Sequence, residues 1–281
     1  MVGYRDIESK AKSLSEERNI EYYELLQRFM FERILERISI SKYNSNFILK
    51  GGLLLSAMFG IDNRSTKDMD TAIIGLNIDK KEMIKILKEI LLIDLNDGVK
   101  FELIDVTDIR EEDEYGGNKY HIVGRLQNLK VNLDIDISTG DKITPRELKF
   151  KYPLIFNNKE IIINSYNMET IIAEKMQTIL KRNIYNSRMK DFYDIYLFIT
   201  KFSSEIDYNN LRKAIKNTFS KRNSENNIND YEVILKNISE NDRLNKLWDT
   251  YKNKRSYVME ITLSNIIAEL IKFIEINHLL K

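Results

Sequence analysis

The 281 residues are 43% hydrophobic and 31% charged with a net charge of +1, a balance that supports a full buried core in one large domain or two modest ones. No apolar run reaches the roughly eighteen residues of a membrane span, and the first residues lack the apolar core of a signal peptide, so a cytoplasmic protein with no membrane partner is expected. There are no cysteines and only two histidines, His121 and His278; this excludes disulfides and thiolate zinc sites, argues against a Ser-His-Asp triad, and leaves catalysis to carboxylates, lysine, arginine and hydroxyls with Mg²⁺.

The spacing of Leu25, Phe29, Ile34 and Ile38 predicts an amphipathic helix over residues 15–38, with Ser15 as N-cap and Glu17 in its first turn. A short apolar run predicts a strand over 47–50, followed by Gly51-Gly52 and a helix over 53–59. Loose alternation ending at Gly75 predicts a strand over 68–74, and Asp79 caps a predicted helix over 79–92. Strand-like runs follow at 100–106, 120–127 and 130–138, the first two separated by an acidic, glycine-bearing loop at 111–117. The two prolines, Pro145 and Pro153, mark a surface crossing, with a short strand pair at 154–156 and 160–163. Beyond residue 165 the pattern turns helical, over 168–182, 187–202, 208–218, 230–237, 242–251 and 257–280, with a polar loop at 223–229. That change of pattern predicts a domain boundary near 165. Trp248 and the tyrosines read as packing residues, and His121 as a strand residue with a local partner.

Three constellations carry chemistry. The first is strand, Gly51-Gly52, helix, then Asp68-x-Asp70. Glycine lets backbone approach an anion closely, and amides at a helix start point toward it. Residues i and i+2 of a strand share a face, so Asp68 and Asp70 can hold one hard cation. The second is Asp134 and Asp136, which share a face while Leu133, Ile135 and Ile137 pack on the other. One of these two aspartates, meeting Asp68 and Asp70 across a sheet, makes a carboxylate set fit for phosphoryl displacement with Mg²⁺. The bland alternative is a solvated acidic sheet face. The third joins Glu174-Lys175 to Arg188, Lys190, Asp191 and Asp194, whose helical spacing also suits a plain ion-pair ladder, including Lys190 with Asp194. Residues 175–222 hold eleven basic residues against four acidic ones, an excess that attracts phosphates or simply solvates helices.

Ile48-Leu49-Lys50-Gly51-Gly52, Arg64-Ser65-x-x-Asp68-Met69-Asp70, Asp136-Ile137-Ser138-x-Gly140-Asp141, Ala173-Glu174-Lys175 and Arg188-x-Lys190-Asp191-x-Tyr193-Asp194 occur in that order. Together they resemble the AbiEii/AbiGii toxin family of the nucleotidyltransferase superfamily, across residues 47–198. The resemblance implies an α+β chain. A nucleotidyltransferase-fold mixed sheet with flanking helices would occupy 1–165, and an α-helical domain over 166–281 would complete an active site between them. It implies Asp68, Asp70 and Asp136 as metal ligands for Mg²⁺, with Asp134 in reserve for the third place. Gly51 and Gly52 would line the triphosphate, and Ser65 would bind phosphate or cap its turn. Lys175 and Arg188 would contact the nucleotide, with Asp191 completing that wall; Asp68, Asp70, Asp136, Lys175 and Asp191 form the implied catalytic set. The superfamily often has serine after the first glycine; Gly52 here removes one hydroxyl contact.

The implied function is that of a toxin-type nucleotidyltransferase in a toxin–antitoxin or phage-defence (abortive infection) system. It would move a nucleoside monophosphate from a Mg–nucleoside triphosphate to an acceptor hydroxyl, tRNA first among acceptors, with a cognate antitoxin that need not bind it directly. A protein or an antibiotic-like small molecule is an alternative acceptor. A non-catalytic RNA- or protein-binding module is the alternative from another class.

Overall fold

Leu133, Ile135 and Ile137 bury on one side of a long strand while Asn132, Asp134 and Asp136 face the other, and that alternation orients the sheet that carries the first two constellations. The computed structural model describes residues 4–76, 79–109, 117–140, 142–255, 257–258 and 260–280. Asp141 and all of the acidic loop except Gly117 lie outside the described residues. The chain forms two compact units: Met1–Asp141 with Leu148–Ser165, and Lys142–Glu147 with Tyr166–Lys281.

The first unit runs α1 (Tyr4–Arg18), α2 (Tyr22–Ile40), β1 (Phe47–Lys50), α3 (Gly51–Phe59), β2 (Met69–Ile73), α4 (Lys80–Leu91), β3 (Lys100–Asp108), β4 (Gly117–Leu126), β5 (Leu129–Thr139), β6 (Leu148–Leu154) and β7 (Lys159–Ser165). The seven strands make one mixed sheet in the order β3-β4-β5-β2-β1-β7-β6. The β2–β5 and β1–β7 pairs are parallel and the rest antiparallel. Asp79 caps α4 as expected, accepting from the Glu82 amide at 2.8 Å. Two expectations here are corrected. The single helix expected over 15–38 is two helices, because Asn19 adopts φ +51° and turns the chain between α1 and α2. Ser15 therefore caps nothing; it sits inside α1 and donates to the Ile20 carbonyl at 2.7 Å. The short pair expected at 154–156 and 160–163 is a longer hairpin, with Pro153 inside β6 opposite Glu160. Proline is tolerated there because β6 is an edge strand, where a missing donor breaks no second ladder.

The second unit is helical: α5 (Met168–Arg182), α6 (Met189–Lys201), α7 (Tyr208–Lys221), α8 (Asn226–Asn229), α9 (Tyr231–Ser239), α10 (Asp242–Asn253) and α11 (Leu263–Ile276). Side chains of Asn167, Asp207, Asn241 and Thr262 cap α5, α7, α10 and α11, each satisfying amides that a helix start leaves open. The polar loop expected at 223–229 holds the one-turn α8, and the last helix begins at Leu263 behind its Thr262 cap rather than at 257. Trp248 is buried and donates its ring N–H to the Ile261 carbonyl at 2.7 Å. Among the described residues no helix is long and apolar enough to cross a membrane.

Candidate active site

β1 is buried along its whole length and delivers the chain directly into α3. Gly51 makes the turn with φ +64°, a conformation that costs a residue with a Cβ. Space is the second reason for glycine. A Cβ at 51 would stand 1.9 Å from Asp70 Oδ2, and one at 52 would stand 2.5 Å from Thr66 Oγ1. The glycine pair thus admits two side chains of the following loop and strand, and Asp70 Oδ2 accepts from the Gly52 amide at 3.3 Å. Negative charge at the first turn of α3 is favoured by the helix dipole. Arg64 is buried beneath this turn and donates to the carbonyl of half-buried Ser65. Thr66 was not singled out as a site residue in the sequence, and Arg64 entered only as part of the Arg64-Ser65-x-x-Asp68-Met69-Asp70 run, with no role of its own.

Asp68 directly precedes β2, and Asp70 is its second residue. The parallel β2–β5 register sets Asp70 opposite Asp136. Asp134 lies elsewhere: it pairs with His121 of β4, Oδ1 to Nδ1 at 2.7 Å, and His121 Nε2 is 3.1 Å from Thr107 Oγ1. Of the two aspartates left open by the strand pattern, Asp136 is the one beside Asp70. On its other side Asp136 faces Lys119 of β4, whose Nζ is 2.8 Å from Oδ1. Burial pushes the Asp136 carboxyl above its ordinary range; Lys119 opposes that shift, while the charges of Asp70 and Asp68 add to it. Burial alone would lower the Lys119 ammonium, but its pairing with Asp136 and the fields of Asp68 and Asp134 raise it overall. Lys50, opposite Asp70 in β1, is buried and donates to Ser138 Oγ at 2.7 Å. Within the Ile48-Leu49-Lys50-Gly51-Gly52 run the sequence assigned this lysine no role of its own.

Among the described residues no three His, Cys, Asp or Glu side chains converge closely enough to form a ready metal cage. The donors nonetheless suit a hard cation. Asp68, Asp70 and Asp136 offer only carboxylate oxygens, the ligands Mg²⁺ takes, and a lysine ammonium already stands on one of them.

The third constellation lies within the helical unit. Lys175 of α5 is held between two acids of α6, its Nζ 2.7 Å from Asp191 Oδ1 and 2.8 Å from Asp194 Oδ2. Arg188, at the N-cap of α6, donates its Nε to Asp191 Oδ2 at 3.0 Å. Both aspartates are buried. Burial alone would raise Asp191, but the adjacent Lys175 and Arg188 charges overcome it and hold the carboxyl down at about 2. Lys175 is held charged against its own burial by the same two aspartates. Two of the three ammonium hydrogens are thereby directed at carboxylates. Part of the basic excess of residues 175–222 is spent internally, since Arg222 also turns toward Glu174 and Gln177.

A mixed sheet in which a glycine-pair helix start, an Asp-x-Asp strand and a third strand aspartate are neighbours defines the class: a nucleotidyltransferase fold followed by helices. In architecture the chain is similar to JHP933 from Helicobacter pylori, with 14% identity, a TM-score of 0.54 and coverage of 92% of this chain and 93% of that one. It is likewise similar to a second H. pylori protein, described as a candidate nucleotidyltransferase, with 14% identity, a TM-score of 0.53 and coverage of 92% and 96%. At such identity the likeness is one of fold. No curated protein matches the chain. The profile of the family described as "Nucleotidyl transferase AbiEii toxin, Type IV TA system" matches residues 33–261. The chain belongs to that family of nucleotidyltransferase toxins.

Proposed function

We propose that this chain transfers a nucleoside monophosphate from a Mg–nucleoside triphosphate to an acceptor hydroxyl in the cytoplasm, with tRNA as the acceptor. The observation that carries the reading is the β2–β5 register, with Asp70 and Asp136 side by side and Asp70 against the Gly51-Gly52 helix start. In this reading Asp68, Asp70 and Asp136 hold the Mg²⁺, which when bound supplies charge neutralisation to the triphosphate. Gly51, Gly52 and Ser65 take triphosphate oxygens at the positive end of α3. Within the helical unit, Lys175 and Arg188 are phosphate-binding cations that Asp191 orients. The acceptor hydroxyl gives its proton to Asp136 and its oxygen attacks the α-phosphorus. The α–β phosphoanhydride bond breaks, and pyrophosphate leaves. A toxin of this activity, with a cognate antitoxin that need not bind it directly, fits the family's type IV toxin–antitoxin system.

Incubation with each α-labelled triphosphate, total RNA and total protein tests it. Label should move to the tRNA band with wild type and to no band with Asp70→Ala. Label on protein or on a small molecule would reassign the acceptor. Transfer by Asp70→Ala at the wild-type rate, or Mg²⁺-independent RNA binding without transfer, would overturn the reading in favour of a binding module.

A further inference from the structure

Four strands place a single transverse row of charged residues in register: Lys50 on β1, Asp70 on β2, Asp136 on β5 and Lys119 on β4. Residues directly opposite one another in a sheet project on the same face, and like charges so placed destabilise it. The two central members are both acids, and Asp68 lies just outside β2 with its charge felt at Asp136. A cation beside them offsets that cost, and Lys119 is in contact with Asp136 at 2.8 Å. The contact is sheltered: the Lys119 side chain is 29% exposed and that of Asp136 25%. An ammonium and a divalent cation cannot both take the same carboxylate oxygen at bonding distance without strong repulsion.

We propose that Lys119 is the resident counter-ion of this carboxylate row and the competitor that a divalent cation must displace from Asp136. The inference rests on the metal reading given above, and it adds a residue that neither the glycine and aspartate motifs nor the family match singles out. Lys119 keeps the row neutralised in the metal-free protein and sets how tightly a bare metal ion binds. Lysine suits this task better than arginine: a single ammonium on a flexible stem swings away, whereas a guanidinium grips a carboxylate with two parallel donors.

The experiment is calorimetric titration of Mn²⁺, without nucleotide, into the full chain as wild type, Lys119→Met, Lys119→Arg and Lys67→Met. Lys67 adjoins Asp68 and pairs with Glu21 at 2.6 Å, so its loss removes a nearby positive charge while leaving the Lys119–Asp136 contact in place. Lys119→Met should bind Mn²⁺ about tenfold more tightly than wild type. Lys119→Arg should bind no more tightly than wild type, and Lys67→Met should stay within about twofold. Unchanged affinity in Lys119→Met overturns the proposal, as does an equal gain in Lys67→Met, which would trace the effect to long-range field. Should Lys119→Met fail to fold, Lys119→Gln carries the same expectation. Failure of every protein, wild type included, to bind Mn²⁺ overturns the metal reading itself, and Lys119 with it.

Discussion

Lys175 and Arg188 hold the charge of Asp191, and its behaviour in acid follows from that. Its folded value of about 2 lies below the ordinary carboxylate value of about 3.9. A carboxyl depressed on folding contributes stability that is whole above the unfolded value and lost as pH falls through the folded one. The gap in unfolding free energy between wild type and Asp191→Asn should be on the order of 2 kcal/mol at neutral pH. It should close between about pH 4 and about pH 2 in urea titrations at stepped pH. A gap that persisted unchanged to pH 2 would mean that Lys175 and Arg188 do not hold this charge. At this scale the sequence was informative wherever the chemistry follows local order. Gly52 and Asp70, both named in the sequence motifs, meet through an amide–carboxylate contact. The sequence was silent on partners that belong to no motif: Lys119 meets Asp136 only through the β4–β5 register, and Thr66 meets Gly52 only because the loop folds back over α3.

Among the elements, α2 departs furthest from its expected character. An amphipathic helix keeps its charges in water, yet Glu24, Arg28, Glu32, Arg33 and Arg37 of α2 are all buried. The helix packs on β5, β7, α1 and α4, so a polar face becomes interior and must find partners there. Arg28 donates to Glu32 at 3.2 Å and to Ser56 of α3 at 2.9 Å, and its guanidinium lies over the Tyr152 ring of β6. Glu32 also accepts from the Ile155 amide at 3.1 Å, and burial pushes its carboxyl upward against the pull of Arg28. Removing one charge of a buried pair strands the other. Arg28→Ala should therefore cost about 3–5 kcal/mol, and Arg28→Ala with Glu32→Ala should cost clearly less than the two single losses added together. Strict additivity in chemical denaturation would show that the pair is not coupled. The same helix shows why some elements were legible and others were not. β1, α3 and the capped α4 announce themselves through a glycine pair, a short apolar run and an Asp cap. The α1–α2 break depends on one left-handed asparagine inside a charged periodic run, and β6 hides a proline that only an edge position permits.

For the molecule as a whole, one short segment within the sheet-forming half of the chain belongs to the helical unit. Residues 142–147 leave the β-sheet unit, join the helical one and return to it as β6. Thr144 is the anchor of that excursion. Its carbonyl accepts from Asn167 Nδ2 at 2.9 Å and from Thr170 Oγ1 at 3.2 Å, and its amide donates to Thr170 Oγ1 at 3.0 Å. Asn167 also donates to the Arg146 carbonyl at 2.9 Å and caps α5 by accepting from the Thr170 amide at 2.7 Å. One buried side chain thus starts the helix that carries Lys175 and fastens the inserted segment to it. Asn167→Ala forfeits the cap and leaves buried carbonyls with fewer donors, a combined loss of about 2–3 kcal/mol. Trp248 is the chain's one tryptophan and lies buried in the helical unit, so its fluorescence reports on that unit alone. In Asn167→Ala the fluorescence transition in urea should move to a lower midpoint with its slope unchanged. An unmoved midpoint would mean that the segment lies on the helical unit without stabilising it, and that α5 owes its start to packing rather than to Asn167.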